Sequence, residues 1–117
     1  MPVTIYHNPR CTKSRQALAL LEQHGIKPKV IEYLVTPPTE AELKRLLKLL
    51  GIAPRELLRT KETEYKQAKL DRADVTDAEI VRAMVKYPRL IERPIVVSGN
   101  KAALGRPPEN VLKILRE

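Results

Sequence analysis

Val3-Thr4-Ile5-Tyr6-His7-Asn8-Pro9-Arg10-Cys11-Thr12-Lys13-Ser14-Arg15 changes its pattern twice within one short stretch. The β-branched and aromatic run at residues 3–6 predicts a strand, and Asn8-Pro9 predicts a turn directly after it. From Thr12 onward the apolar positions Ala17, Leu18 and Leu21 recur at helical spacing, with Gly25 placed as the stop. Cys11 is thus expected at a helix N-terminus. Residues 30–33 predict a second strand, and strand, helix, strand at these lengths implies a right-handed crossover joining parallel strands.

Working outward, Pro37-Pro38 precede Thr39-Glu40-Ala41-Glu42, a capping box that starts a helix with Leu43, Leu46, Leu47 and Leu50 on one face and Gly51 at its end. Shorter helices are expected between Pro54 and Leu70. A second capping box at residues 76–79 leads into Ile80, Ala83 and Met84, and Tyr87-Pro88 stops that helix. Ile95-Val96-Val97, the turn Ser98-Gly99-Asn100 and residues 102–104 then predict a hairpin. Pro107-Pro108-Glu109 predicts a final helix burying Val111, Leu112 and Leu115. The fold class is α/β, a βαβ unit and a ββα unit with a helical region inserted between them, in a single domain over residues 1–117.

Composition narrows the chemistry. Twenty-two Lys and Arg against 14 Asp and Glu leave a formal net charge of +8, so the expected partner is anionic. Four tyrosines with no Phe or Trp give little material for base stacking, and no helix-turn-helix or RNA-binding signature is present, which argues against nucleic acid. The single cysteine excludes an internal disulfide and fits a reducing compartment. The absence of a signal-peptide pattern at residues 1–6 and of any long apolar run predicts a cytoplasmic protein without a membrane segment. One cysteine and two histidines, His7 and His24, cannot supply a structural zinc site, so no metal is expected.

Cys11 is the leading candidate for chemistry, because free backbone donors and the positive end of a helix dipole favour thiolate over thiol. Arg10, Lys13 and Arg15 add positive charge, and Ser14 stands three residues on as a hydrogen-bond donor to sulfur. The competing reading is a buried, inert cysteine. Cys11-Thr12-Lys13-Ser14 lacks the second thiol of a dithiol motif, so any disulfide must be intermolecular and must be resolved by glutathione or a thiol protein. Ala17 stands where a phosphatase-type loop would need arginine. His7 reads either as a packed, hydrogen-bonded ring or as an imidazolium beside the thiolate. His24, near the end of a helix, reads as a partner of the helix dipole. Arg93-Pro94 precedes the strand at 95–97, where a cis bond is one option and a trans bond the other. Arg59 and Arg106 read as surface charges or as planar donor forks for an oxyanion.

Taken together, residues 7–15, Leu58-Arg59-Thr60, Glu92-Arg93-Pro94-Ile95-Val96-Val97 and Gly105-Arg106-Pro107-Pro108-Glu109 closely resemble the glutathione/glutaredoxin-coupled arsenate reductases. The resemblance spans nearly the whole chain. It implies a thioredoxin-like fold with an inserted helical region, a cis Arg93-Pro94 bond, Cys11 as nucleophile, and Arg59, Arg93 and Arg106 as oxyanion ligands. His7 is carried over as a thiolate-tuning residue and Ser14 as a donor to sulfur. Arsenate or a similar oxyanion would be the substrate, glutathione the co-substrate and glutaredoxin the protein reductant, with no bound cofactor and a monomeric chain. Relatives of this fold that regulate transcription by binding RNA polymerase form the alternative, and a monothiol oxidoreductase acting on another substrate is a third. The regulators carry Cys-x-x-Cys near the N-terminus, whereas this chain has Ser14 at the second position.

Overall fold

The computed structural model describes residues 2–115, and these fall into two compact units, one made of residues up to 36 and from 93 onward, the other of residues 37–92. In the first unit, β1 (Val3–His7), α1 (Thr12–Gln23) and β2 (Lys29–Glu32) are followed, after the second unit, by β3 (Ile95–Ser98) and β4 (Lys101–Leu104). The sheet order is β2-β1-β3-β4. β1 pairs parallel with β2 (Ile5 opposite Val30, His7 opposite Glu32) and antiparallel with β3 (Ile5 opposite Val96), while β3 and β4 form the hairpin. A parallel β1–β2 crossover through α1 beside an antiparallel hairpin is the expected thioredoxin-like arrangement. Among the described residues no helix is long and apolar enough to cross a membrane.

Alternation drives β1: Val3, Ile5 and His7 are buried while Thr4 and Tyr6 are only half-buried. Val3, Ile5 and Val96 meet Ala17 and Leu21 of α1 and Val111 in a single apolar cluster. α1 begins at Cys11 and ends before Gly25, whose φ of 76° lies in the left-handed region where glycine carries no steric penalty.

The C-terminal segment differs from expectation. Pro108–Leu115 winds as a 3-10 helix rather than an α-helix. Pro108 and Val111 are buried, and Leu112, Ile114 and Leu115 are all half-buried and packed against the core cluster. The expected face of Val111, Leu112 and Leu115 therefore does meet the core, and the tighter winding adds Pro108 and Ile114 to it.

The second unit is the inserted helical region: α2 (Glu40–Leu50), α3 (Pro54–Leu57), α4 (Thr63–Gln67), α5 (Asp77–Lys86) and a 3-10 turn at Pro88–Leu90. Both predicted capping boxes form. Thr39 Oγ1 accepts from the Glu42 N–H at 3.1 Å while Glu42 Oε1 accepts from the Thr39 N–H at 3.3 Å, and Thr76 and Glu79 repeat the exchange at 3.2 and 3.1 Å. α2, α3 and the 3-10 turn each pack on α5. The buried side chains include Leu43, Leu46 and Leu47 of α2 with Ile80, Val81 and Met84 of α5. Each fully buried leucine or isoleucine contributes about 1.5–3 kcal/mol against exposure.

At the junction of β4 with the 3-10 helix, the Gly105 N–H donates to the Pro94 carbonyl at 2.9 Å. A Cβ on Gly105 would lie 2.6 Å from Pro94 Cγ and 3.2 Å from Ala17 Cβ. Neither the proline ring nor a buried helix face can yield cheaply, so Gly105→Ala is expected to destabilise the protein by about 1–3 kcal/mol. Urea denaturation of the two chains measures this, and equal midpoints would refute the close packing.

Candidate active site

Cys11 is the N-cap of α1, with extended backbone (φ −90°, ψ 123°) and its sulfur partly accessible. Asn8 sets the turn that delivers it. The Asn8 carbonyl accepts from the Cys11 N–H at 3.0 Å, and its side-chain Oδ1 accepts from the Arg10 N–H at 3.0 Å. As the N-cap residue Cys11 stands beside the free backbone N–H groups of the first turn, those of Lys13 and Ser14 among them, although its side chain makes no capping hydrogen bond. Burial pushes the Cys11 thiol up, but the N–H donors of Ser14 and Lys13, together with a hydrogen bond and positive charge from the Arg93 side chain, outweigh it. The net displacement is below the ordinary thiol value.

Ser14 differs from expectation as a donor to sulfur. Its fully buried hydroxyl is engaged elsewhere, accepting from the Asn8 N–H at 3.0 Å and lying 2.6 Å from His7 Nδ1. The hydroxyl therefore ties the first turn of α1 to the end of β1. His7 is buried, and that burial lowers its pKa below the usual imidazole value; Glu32, opposite it on β2, partly opposes the shift and Arg15 reinforces it. Of the two readings of His7, geometry favours the packed neutral ring, which takes the Ser14 hydrogen on Nδ1 when its own proton sits on Nε2. His24 accepts no role at this site; its Nδ1 lies 2.9 Å from the Leu20 carbonyl at the end of α1.

Arg93 and Arg106 come together in the same unit as Cys11. Arg106 Nη1 donates to the Arg93 carbonyl at 3.2 Å, and the Arg106 carbonyl accepts from Asn110 Nδ2 at 3.1 Å. The Arg93-Pro94 bond is cis, and so is Arg106-Pro107, which nothing in the sequence signalled. The first unit thus gathers His7, Cys11, Ser14, Arg93 and Arg106. Arg59 belongs to the helical unit, where its guanidinium meets Glu62 at 3.1 Å and Glu92 at 2.6 Å. Burial lowers its pKa, the two carboxylates raise it by more, and the result lies above the ordinary arginine value. Among the described residues no cluster of three or more His, Cys, Asp or Glu side chains is placed to hold a metal.

A thiol at a helix N-terminus with its pKa lowered, in one unit with two arginines at neighbouring strand ends, suits nucleophilic attack on an anion. Residues 6–114 match the ArsC family. The chain belongs to that family. An arsenate reductase of Haemophilus influenzae is 50% identical over 116 residues, covering 98% of this chain and all of that protein. An arsenate reductase of Escherichia coli is 43% identical over 113 residues, covering 97% of this chain and 80% of that one. The solved structure of an arsenate reductase from Vibrio cholerae is 52% identical, with a TM-score of 0.94 and coverage of 97% and 98%.

Within this ArsC chain, the sequence marks Asn8 only as a turn former and gives Glu62 and Glu92 no role. Asn8 had a usable signal, since asparagine before proline readily makes a side-chain turn. Glu92 had none, because it reaches Arg59 across 33 positions of sequence, whereas Glu62 stands only three residues from Arg59.

Alkylation of Cys11 by iodoacetamide tests the electrostatics. The rate follows the thiolate fraction, so it should rise with pH to a plateau whose midpoint lies below that of an unperturbed cysteine. Arg93→Ala removes one donor and one positive charge and should move the midpoint upward. An unchanged midpoint would mean that Arg93 does not hold the sulfur.

Proposed function

We propose that this protein reduces arsenate to arsenite, with Cys11 as the nucleophile and glutathione supplying the second thiol. The observation that carries this reading is a lone cysteine at the N-cap of α1, in the same unit as Arg93, whose carbonyl accepts from Arg106 Nη1 at 3.2 Å. Membership of the ArsC family and the arsenate reductases among its relatives support the choice of oxyanion.

The Cys11 thiolate attacks arsenic, forming an S–As bond as one oxygen departs as water after protonation. Arsenic remains pentavalent in this thiol-arsenate adduct. Arg93 and Arg106, with Arg59 carried over from the family resemblance, neutralise the charge that accumulates on the remaining oxygens. A glutathione thiolate then attacks the Cys11 sulfur. The new S–S bond forms as the S–As pair withdraws onto arsenic, so two thiolates lose two electrons in total and arsenic gains two, leaving as arsenite. Since this chain has no second cysteine, the Cys11–glutathione disulfide must be opened from outside. Glutaredoxin accepts the glutathione moiety and returns Cys11 to the thiolate. The low thiol pKa serves both ends of the cycle, because it favours the attacking thiolate and makes Cys11 a good leaving group. His7 and Ser14 act behind the sulfur, holding the N–H groups of α1 on it.

A coupled assay with arsenate, glutathione and glutaredoxin tests the reading. Cys11→Ser should abolish turnover, and Arg93→Ala should lower kcat/KM by about 10²-fold, the scale seen when one donor to a developing oxyanion is removed. Arsenate-independent oxidation of thiol, or no arsenite from the intact chain, would sink the substrate assignment.

A further inference from the structure

The helical unit holds Arg59 with more carboxylate than an anion ligand ordinarily carries. Residues 57–59 run antiparallel to residues 90–92: the Arg59 N–H donates to the Leu90 carbonyl and the Glu92 N–H to the Leu57 carbonyl, both at 2.8 Å, around the Leu58–Ile91 bridge. This pairing sets Glu92 beside Arg59. Arg59 Nη1 donates to Glu92 Oε1 at 2.6 Å and Arg59 Nε to Glu62 Oε2 at 3.1 Å. Glu62 is itself fixed, because its Oε1 accepts from Arg89 Nη2 at 3.0 Å. All three partners of the clamp are largely covered, with side-chain exposures of 21% for Arg59, 13% for Glu62 and 23% for Glu92.

A purely structural brace is the plainer account of such a cluster. It explains little here. The backbone pairing and the buried Leu58 and Ile91 already join the two segments, and a partly buried ion pair returns little net stability once desolvation is counted. What the carboxylates do fix is direction. An arginine fork has five N–H donors in one plane, and here the Nε and Nη1 sides are committed while Nη2 bonds to none of the described residues.

We infer that Glu62 and Glu92 are positioning residues for Arg59, clamping its guanidinium by Nε and Nη1 so that the Nη2 edge is left for the oxyanion. This rests on the reading of Arg59 as an oxyanion ligand. The same carboxylates partly compensate the Arg59 charge before the anion arrives, so the arginine is held without needing a counter-ion from solution. Orientation, rather than added charge, is then the quantity the clamp supplies.

The test measures equilibrium arsenate binding by calorimetry on the full chain in a Cys11→Ser background, where no adduct can form, with thermal denaturation to confirm that each variant folds. Glu92→Ala should weaken arsenate about tenfold, while Glu92→Gln, which keeps an oxygen to accept from Nη1, should stay within about twofold. Arg59→Ala should also cost about tenfold, and adding Glu92→Ala to it should change binding less than twofold, since the glutamate's effect on the anion runs through the arginine. Equal effects of Glu92→Ala with and without Arg59, a Gln variant as weak as the Ala variant, or no effect of Glu92→Ala would each overturn the inference. The expected pattern in a protein that makes no arsenite would sink the reaction and leave the clamp standing; no arsenate binding to the Cys11→Ser chain would sink both.

Discussion

Burial and hydrogen bonding pull the Cys11 sulfur in opposite directions, and hydrogen bonding wins. A half-covered thiol in an apolar setting would remain protonated and inert at neutral pH. The N–H groups of Lys13 and Ser14 reverse that only if the first turn of α1 stands still. Its rigidity comes from behind, where the buried Ser14 hydroxyl joins the Asn8 N–H and the His7 ring, and from Asn8, which closes the turn onto Cys11. His7, whose pKa burial lowers, is thereby tied to the first turn of α1 through Ser14. That accounts for a histidine at the end of the central strand β1, which the sheet covers on both edges with β2 and β3.

Charge is spent locally. Of the 22 basic residues, Arg93 reaches the sulfur from the approach to β3 and Arg106 bonds to its carbonyl from the end of β4. Gly105 is part of the same arrangement, since any larger residue would displace Pro94, the neighbour of Arg93. Arg59 sits in the helical unit with its guanidinium set by Glu62 and Glu92.

The fold was legible wherever local chemistry is decisive. The Thr39 and Thr76 capping boxes, the glycine stops, the β-branched run of β1 and the 95–104 hairpin each carry their signal within a few residues, and each formed as read. The C-terminal helix was misread in its winding because 3-10 and α segments share the same proline-led start and differ only in which residues line up. At the site, the place of Cys11 at the start of α1 was legible from the pattern, and the cis Arg93-Pro94 bond from the family resemblance. The bonds of the Ser14 hydroxyl to His7 and the Asn8 N–H were not, because they depend on how the end of β1 meets α1. The clamp on Arg59 was invisible for a different reason: it depends on a pairing between segments about thirty residues apart.

A monothiol nucleophile has to pass its oxidation outward, and mass spectrometry can catch it doing so. Protein incubated with arsenate and glutathione, without glutaredoxin, is quenched in acid and its Cys11 peptide is weighed. The account predicts a single glutathione on Cys11 that accumulates only when arsenate is present. Glutathione attached to the same extent without arsenate, or arsenite released while Cys11 stays a free thiol throughout, would contradict it.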